Sequence, residues 1–149
     1  VITAGRYIND YMPEYVAEQT IAGLKEAGKE IKDAKILVMG LTFKENVKDY
    51  RNSKISVTIK KLQKQGAQVT GYDPLLDQST IEKVFGISTM EKLTGTYDAI
   101  IISTAHKKFL KLSNEILKLN YKTTKLVVID VKTAFSNLRK TKNIIYKNL

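Results

Sequence analysis

From Lys35 onward the apolar residues fall into five short runs, KILVMG (35–40), QVTGYD (68–73), DAIIIST (98–104), KLVVID (125–130) and NIIYKN (143–148), separated by polar or helix-patterned stretches. Runs this short and this continuously apolar are the pattern of parallel strands buried on both faces. Between the first two the period changes. Ile55, Ile59 and Leu62 share one helical face, Asn52 or Ser53 can cap its start, and Gly66 can end it. Strand, helix and strand in this order make a βαβ unit, whose crossover is right-handed. The pattern predicts an α/β chain with a Rossmann-like open parallel sheet, expected in the order 3-2-1-4-5-6. GIS at 86–88 is a candidate edge strand, and EILKL from Glu115 a further helix.

Ahead of the sheet, INDYMPEYVAEQTIAGLKEAGKEI predicts a long helix over about residues 11–30, with Asn9 or Asp10 as its N-cap and Pro13 in its first turn. Ala17, Ile21, Leu24, Gly28 and Ile31 form one row along it. Thr20, Gly23 and Ala27 form a second row of small residues that would let another helix come close. Such a helix packs on its own domain or joins two domains or subunits, and the small-residue row favours the second. The chain opens at Val1 within this helical pattern, so the expectation is a piece of a longer protein.

Composition narrows the class. With 149 residues and 43% hydrophobic content, the chain is sized for one globular domain, or for one domain with an appendage. No apolar run approaches the roughly 20 residues that cross a bilayer, so no membrane segment is expected. The absence of cysteine removes disulfides, thiolate metal sites and a thiol nucleophile from these residues, and is compatible with a reducing cytoplasm. No metal site is expected. The net charge of +10 is unevenly placed, with four Lys or Arg against six Asp or Glu in residues 1–34 and 21 against nine in residues 35–149. The second part is therefore suited to anions.

The candidate chemistry lies in GLTFKENVKDYRNSK, residues 40–54, between the first strand and the helix after it. A dinucleotide fingerprint needs several glycines so that backbone amides can touch a pyrophosphate. Here only Gly40 remains, and the second and third glycine positions are Thr42 and Glu45. The loop instead carries Lys44, Lys48 and Arg51, cations that can reach an anion beyond the carboxyl ends of the strands, with Phe43 as an apolar wall.

These residues carry a resemblance. ILVMGLTFKENVKDYRNSK, GYDP at 71–74, STAHKKF at 103–109 and AGRYINDYMPEYVAEQ near the start, in this order, resemble the C-terminal part of the UDP-glucose/GDP-mannose dehydrogenase family over essentially the whole chain. The pattern FK…D.R.S is specific to that family. AGR.IND.M together with GLTFKEN is most similar to bacterial UDP-N-acetylhexosamine 6-dehydrogenases.

The resemblance implies an enzyme with an N-terminal NAD-binding domain, a central helical region and a C-terminal UDP-sugar-binding domain. Residues 1–34 would end the central, dimerising region and residues 35–149 would bind the UDP-sugar. In the family a cysteine serves two successive NAD-dependent oxidations of the C6 alcohol to the carboxylate, through a thiohemiacetal and a thioester. That cysteine and the NAD turn would both precede Val1, so this chain alone is expected to be inactive, with no catalytic residue of its own. Matched by position, Phe43 and Lys44 correspond to UDP-sugar contacts and Arg51 to an arginine that reaches NAD. Asp49 and Ser53 would hold the loop. In VIDVKTAF (128–135) Lys132 stands where the family has an arginine directed at the nucleotide, keeping its charge but losing the planar fork. A UDP-sugar, NAD in the parent enzyme and a second copy of the chain are the implied partners. The sugar is left open among N-acetylhexosamines, N-acetylmannosamine and glucose.

Other roles weigh differently. His106, the only histidine, and Asp73 read as structural, and Arg6 pairs locally with Asp10 at i to i+4. A basic nucleic-acid-binding module meets the charge requirement but lacks aromatics interleaved with basic residues as a stacking platform. A purely structural dimerisation module would make the N-terminal helix, and not the loop, the functional element.

Overall fold

The computed structural model describes residues 4–51, 53–120 and 124–149, with side chains from residue 11 onward. Its elements are α1 (Ala4–Glu26), β1 (Lys35–Met39), α2 (Ile55–Lys64), β2 (Gln68–Tyr72), α3 (Gln78–Phe85), β3 (Ser88–Thr89), β4 (Ala99–Ile102), α4 (Ser113–Leu117), β5 (Leu126–Asp130) and β6 (Ile144–Asn148). The six strands form one sheet of order β3-β2-β1-β4-β5-β6, with every pair parallel. All five apolar runs are strands, and the GIS segment supplies the short edge strand β3. Helix α3 was not anticipated; QSTIEKVF spans only two turns, too few for its period to stand out, and Gly86 ends it in the left-handed region.

The alternation within each strand sorts the core into two layers. Ile36 and Val38 of β1, Ala99 and Ile101 of β4, and Val127 and Ile129 of β5 face α1 and α2. Leu37, Met39, Ile100, Ile102, Leu126 and Val128 face the other way, against Phe109, Ile116, Leu119, Phe135 and Leu138. Burial of both faces is why the strands read as continuous apolar runs.

Helix α1 departs from expectation at both ends. It already runs at Ala4, so Asn9 and Asp10 are interior rather than caps, and Pro13 lies inside the helix. Proline gives up one intrahelical hydrogen bond, but the Pro13 carbonyl accepts the Thr58 hydroxyl of α2 at 2.7 Å, which ties the two helices together. The helix stops at Glu26 because Gly28 takes φ +75°. The amide of Lys29 then bonds to Leu24 O at 2.8 Å and that of Gly28 to Lys25 O at 3.0 Å, a Schellman closure. The Arg6 and Asp10 side chains lie outside the described residues.

The small-residue row also has a different use. A Cβ on Gly23 would lie 2.6 Å from Val127 Cγ1, and Thr20 is fully buried with its hydroxyl on Val16 O. At Gly23 the row lets α1 lie close on strand β5 of its own sheet. At α2, the N-cap is Lys54 with no side-chain cap, while Ser53 contributes its carbonyl to Ser56; Asn52 lies outside the described residues. Among the described residues no helix is long and apolar enough to cross a membrane.

Candidate functional site

Chain direction at the carboxyl end of β1 is set by Gly40. Its φ is +88°, and a Cβ there would lie 2.4 Å from the carbonyl oxygen and 2.7 Å from the amide nitrogen of Thr104, so only glycine lets the segment after β4 pass. The Thr104 hydroxyl donates to Thr42 O at 3.0 Å, and the Thr42 hydroxyl donates to Lys44 O at 2.9 Å. The Phe43 amide closes on Asp49 O at 2.6 Å, which makes residues 43–49 an excursion over the strand ends. Phe43 is consequently 56% exposed despite its size.

Beneath the loop lies a buried polar knot. Asp73, at the end of β2, accepts the Leu41 amide at 2.8 Å and the His106 ring at 3.1 Å on Oδ2, and the Leu75 amide at 2.9 Å on Oδ1. His106 is fully buried; its Nδ1 accepts the Asn46 amide at 2.9 Å, and the Asn46 side chain in turn accepts the Lys107 amide at 2.9 Å. Both side chains are committed to hydrogen bonds inside the fold.

This arrangement also tests the turn as a dinucleotide site. The Leu41 amide is already spent on Asp73, Asp73 is turned inward and 3% exposed, and side chains replace two fingerprint glycines. The turn does not fit a dinucleotide.

Over the carboxyl ends of β1, β4 and β5 there is a pocket of about 400 Å³. Thr42, Ser103, Thr104 and Val131 line it at the strand ends, Ser53, Lys54, Ile55 and Thr58 at the start of α2, and Met12, Pro13 and Val16 along α1. Phe43, Lys44 and Lys132, three of the four residues singled out from the sequence, meet around it. Three lysines, Lys44, Lys54 and Lys132, against one glutamate, Glu45, make its lining net cationic. Lys132 is delivered by a turn that buried Asp130 holds, accepting the Ala134 amide at 3.0 Å, the Phe135 amide at 2.7 Å and the Tyr146 hydroxyl. Burial, and then that hydrogen bond to Asp130, pushes the Tyr146 phenol well above its ordinary range.

Arg51 is not part of the lining. Its Nε and Nη2 donate to Asp49 at 3.0 and 3.4 Å, and its side chain is 79% exposed. The hydrogen bond from Arg51 holds the Asp49 carboxyl below the usual carboxylate range, and the same bond raises the guanidinium. The sequence reading missed Lys54 and the three α1 residues. Lys54 follows the FK…D.R.S pattern directly and could have been read as one more cation, whereas nothing local marks Met12, Pro13 or Val16, because it is the docking of α1 that brings them to the pocket.

Comparison with known proteins places the chain in a family. A family model described as UDP-glucose/GDP-mannose dehydrogenase family, UDP binding domain, matches residues 37–137. A UDP-N-acetyl-D-glucosamine 6-dehydrogenase of Salmonella typhi is 34% identical over 133 residues, covering 89% of this chain and 31% of that protein. A UDP-N-acetyl-D-mannosamine dehydrogenase of Methanococcus maripaludis (strain C7) is 32% identical over 149 residues, 99% of this chain and 31% of its own length. The chain therefore spans about a third of these relatives. Among solved structures, an NDP-N-acetyl-D-galactosaminuronic acid dehydrogenase from Methanosarcina mazei Go1 superposes with a TM-score of 0.81 at 23% identity, over 96% of this chain and 30% of that one, a likeness of fold.

Proposed function

Because the chain belongs to the UDP-glucose/GDP-mannose dehydrogenase family, within whose UDP-binding domain its residues 37–137 fall, we propose that it is the UDP-sugar-binding part of an NAD-dependent nucleotide-sugar 6-dehydrogenase. The observation that carries this reading is the cationic pocket at the strand ends, where Lys44, Lys132 and Phe43 converge. A diphosphate is the ligand group such lysines suit, each charge-assisted hydrogen bond contributing about 1.5–3 kcal/mol. Phe43, standing out from the loop, offers a flat apolar surface to a uracil or sugar ring.

In this reading the substrate is a UDP-N-acetylhexosamine, held in the cytoplasm between this pocket and residues of the parent enzyme outside the chain. NAD belongs chiefly to that other part, since the turn after β1 does not fit it. Arg51 would contribute a cofactor contact from outside the pocket after exchanging its partner Asp49 for a phosphate. A homodimer would use the outward face of α1, where the Tyr11 and Tyr15 rings lie 6.2 Å apart, tilted, and remain exposed, because Gly23 is spent on the chain's own sheet.

Titration calorimetry on the protein that carries this chain separates the roles. Lys44→Ala should weaken UDP-N-acetyl-D-glucosamine by about 10- to 150-fold and leave NAD nearly unchanged, whereas Arg51→Ala should weaken NAD. Unchanged sugar-nucleotide affinity in Lys44→Ala, with a loss in Arg51→Ala, would reverse the two assignments.

A further inference from the structure

The knot under the loop holds more than a buried histidine needs. A backbone N–H can only donate, so the 2.9 Å contact from the Asn46 amide makes His106 Nδ1 an acceptor and places the ring proton on Nε2. Nε2 faces Asp73 Oδ2 at 3.1 Å and Thr42 Oγ1 at 3.3 Å. The Thr42 hydroxyl has committed its own proton to Lys44 O at 2.9 Å, so its oxygen is available to Nε2–H. One imidazole thus acts on both sides of Lys44, through Thr42 on the Lys44 carbonyl and directly on the Asn46 amide. Asn46 itself sits at φ +63°, a conformation that asparagine tolerates better than most residues and that its bond to the Lys107 amide helps to hold.

We propose that His106 is the positioning residue for Lys44: as the Nε2–H tautomer, it fixes the backbone of residues 42–46 and so aims the Lys44 ammonium into the pocket. The side chain of His106 is 1% exposed and cannot touch a ligand, so the role is indirect. An apolar side chain packed against Phe109, whose ring lies 5.1 Å from the imidazole, would fill the same space without any polar group to satisfy. What it could not do is accept from Asn46 and donate to Thr42 and Asp73 together. The proposal rests on the reading of Lys44 as a ligand contact.

The test uses the two amides that each mimic one ring nitrogen, in the protein that carries this chain. His106→Gln can still donate to Asp73 but loses the acceptor for Asn46. His106→Asn keeps that acceptor near the Nδ1 position. UDP-N-acetyl-D-glucosamine affinity should fall about 5-fold in His106→Gln, with faster hydrogen exchange at the Asn46 amide, whereas His106→Asn should keep the slow Asn46 exchange and, having lost the donor to Thr42 and Asp73, still bind more weakly than wild type. In a Lys44→Ala background His106→Gln should cost no further affinity. An equal loss in that background would mean a general structural role and overturn the proposal. The wild-type protein gives an independent check, because ring nitrogen shifts reporting an Nδ1–H tautomer would also overturn it. If Lys44→Ala alone leaves affinity unchanged, the binding reading falls and takes this role with it, while the tautomer and the Asn46 exchange result stand as measured.

Discussion

Asp73 occupies the position at which a dinucleotide-binding sheet presents a carboxylate to a ribose, yet its carboxylate is taken up by Leu41, Leu75 and His106. Every partner is a donor, which an ionised carboxylate suits and an amide does not. Asp73→Asn would set an NH2 group against one of these donors and remove the charge that strengthens the others. We expect it to lower stability by roughly 1.5–3 kcal/mol, measured by denaturant unfolding, with no direct effect on NAD affinity. A change in NAD affinity without a loss of stability would return Asp73 to the ribose role. At the same scale Gly40 shows why one glycine suffices: it is the position where the Thr104 backbone crosses, whereas Thr42 has a hydroxyl to place and Glu45 lines the pocket.

Helix α1 and strand β6 carry the element-scale expectations. Because Gly23 abuts Val127 within the same chain, Gly23→Leu should overpack this contact and cost about 1–3 kcal/mol. Its thermal midpoint should fall by the same amount at every protein concentration; a loss that vanished on dilution would mean that the row serves self-association instead. On β6, the phenol of Tyr146 is raised by burial and by its bond to Asp130. The folded state then holds a proton that the unfolded chain gives up near pH 10. That contribution is complete below pH 10 and is lost as the pH rises toward the folded-state value. Tyr146→Phe should therefore be less stable than wild type near neutrality, and the difference should narrow in thermal melts above pH 10. A difference independent of pH would show that the proton linkage is absent. Tyr72 and Tyr97, also raised by burial, are common to both proteins and cancel in the comparison.

For the molecule as a whole, the pocket has cations, an apolar wall and no thiol, since the sequence contains no cysteine. We expect the isolated chain to produce no NADH from NAD and any UDP-sugar, followed by nicotinamide absorbance; turnover traced to this chain would refute the reading of it as a binding part. The sheet was legible in the sequence because burial on both faces imposes a local signature, a run of four or five apolar residues, that needs no knowledge of neighbours. Phe43 and Lys44, in the loop that follows β1, could be placed at the strand ends in the same way, whereas Lys132 was singled out through the family resemblance. The start of α1 differs because Asn9, Asp10 and Pro13 are locally good start signals, yet the helix already runs at Ala4, and Pro13 sits inside it with its carbonyl accepting from Thr58, 45 residues away. Likewise the row of small residues could show only that something comes close to Gly23. Sequence alone determined the strands, the loss of the glycine-rich turn and the residues at the strand ends. Tertiary structure alone decided that α1 lies on β5, that its residues wall the pocket, and that His106 reaches Asn46 and Thr42, because these contacts join residues far apart in the chain whose meeting no local pattern encodes.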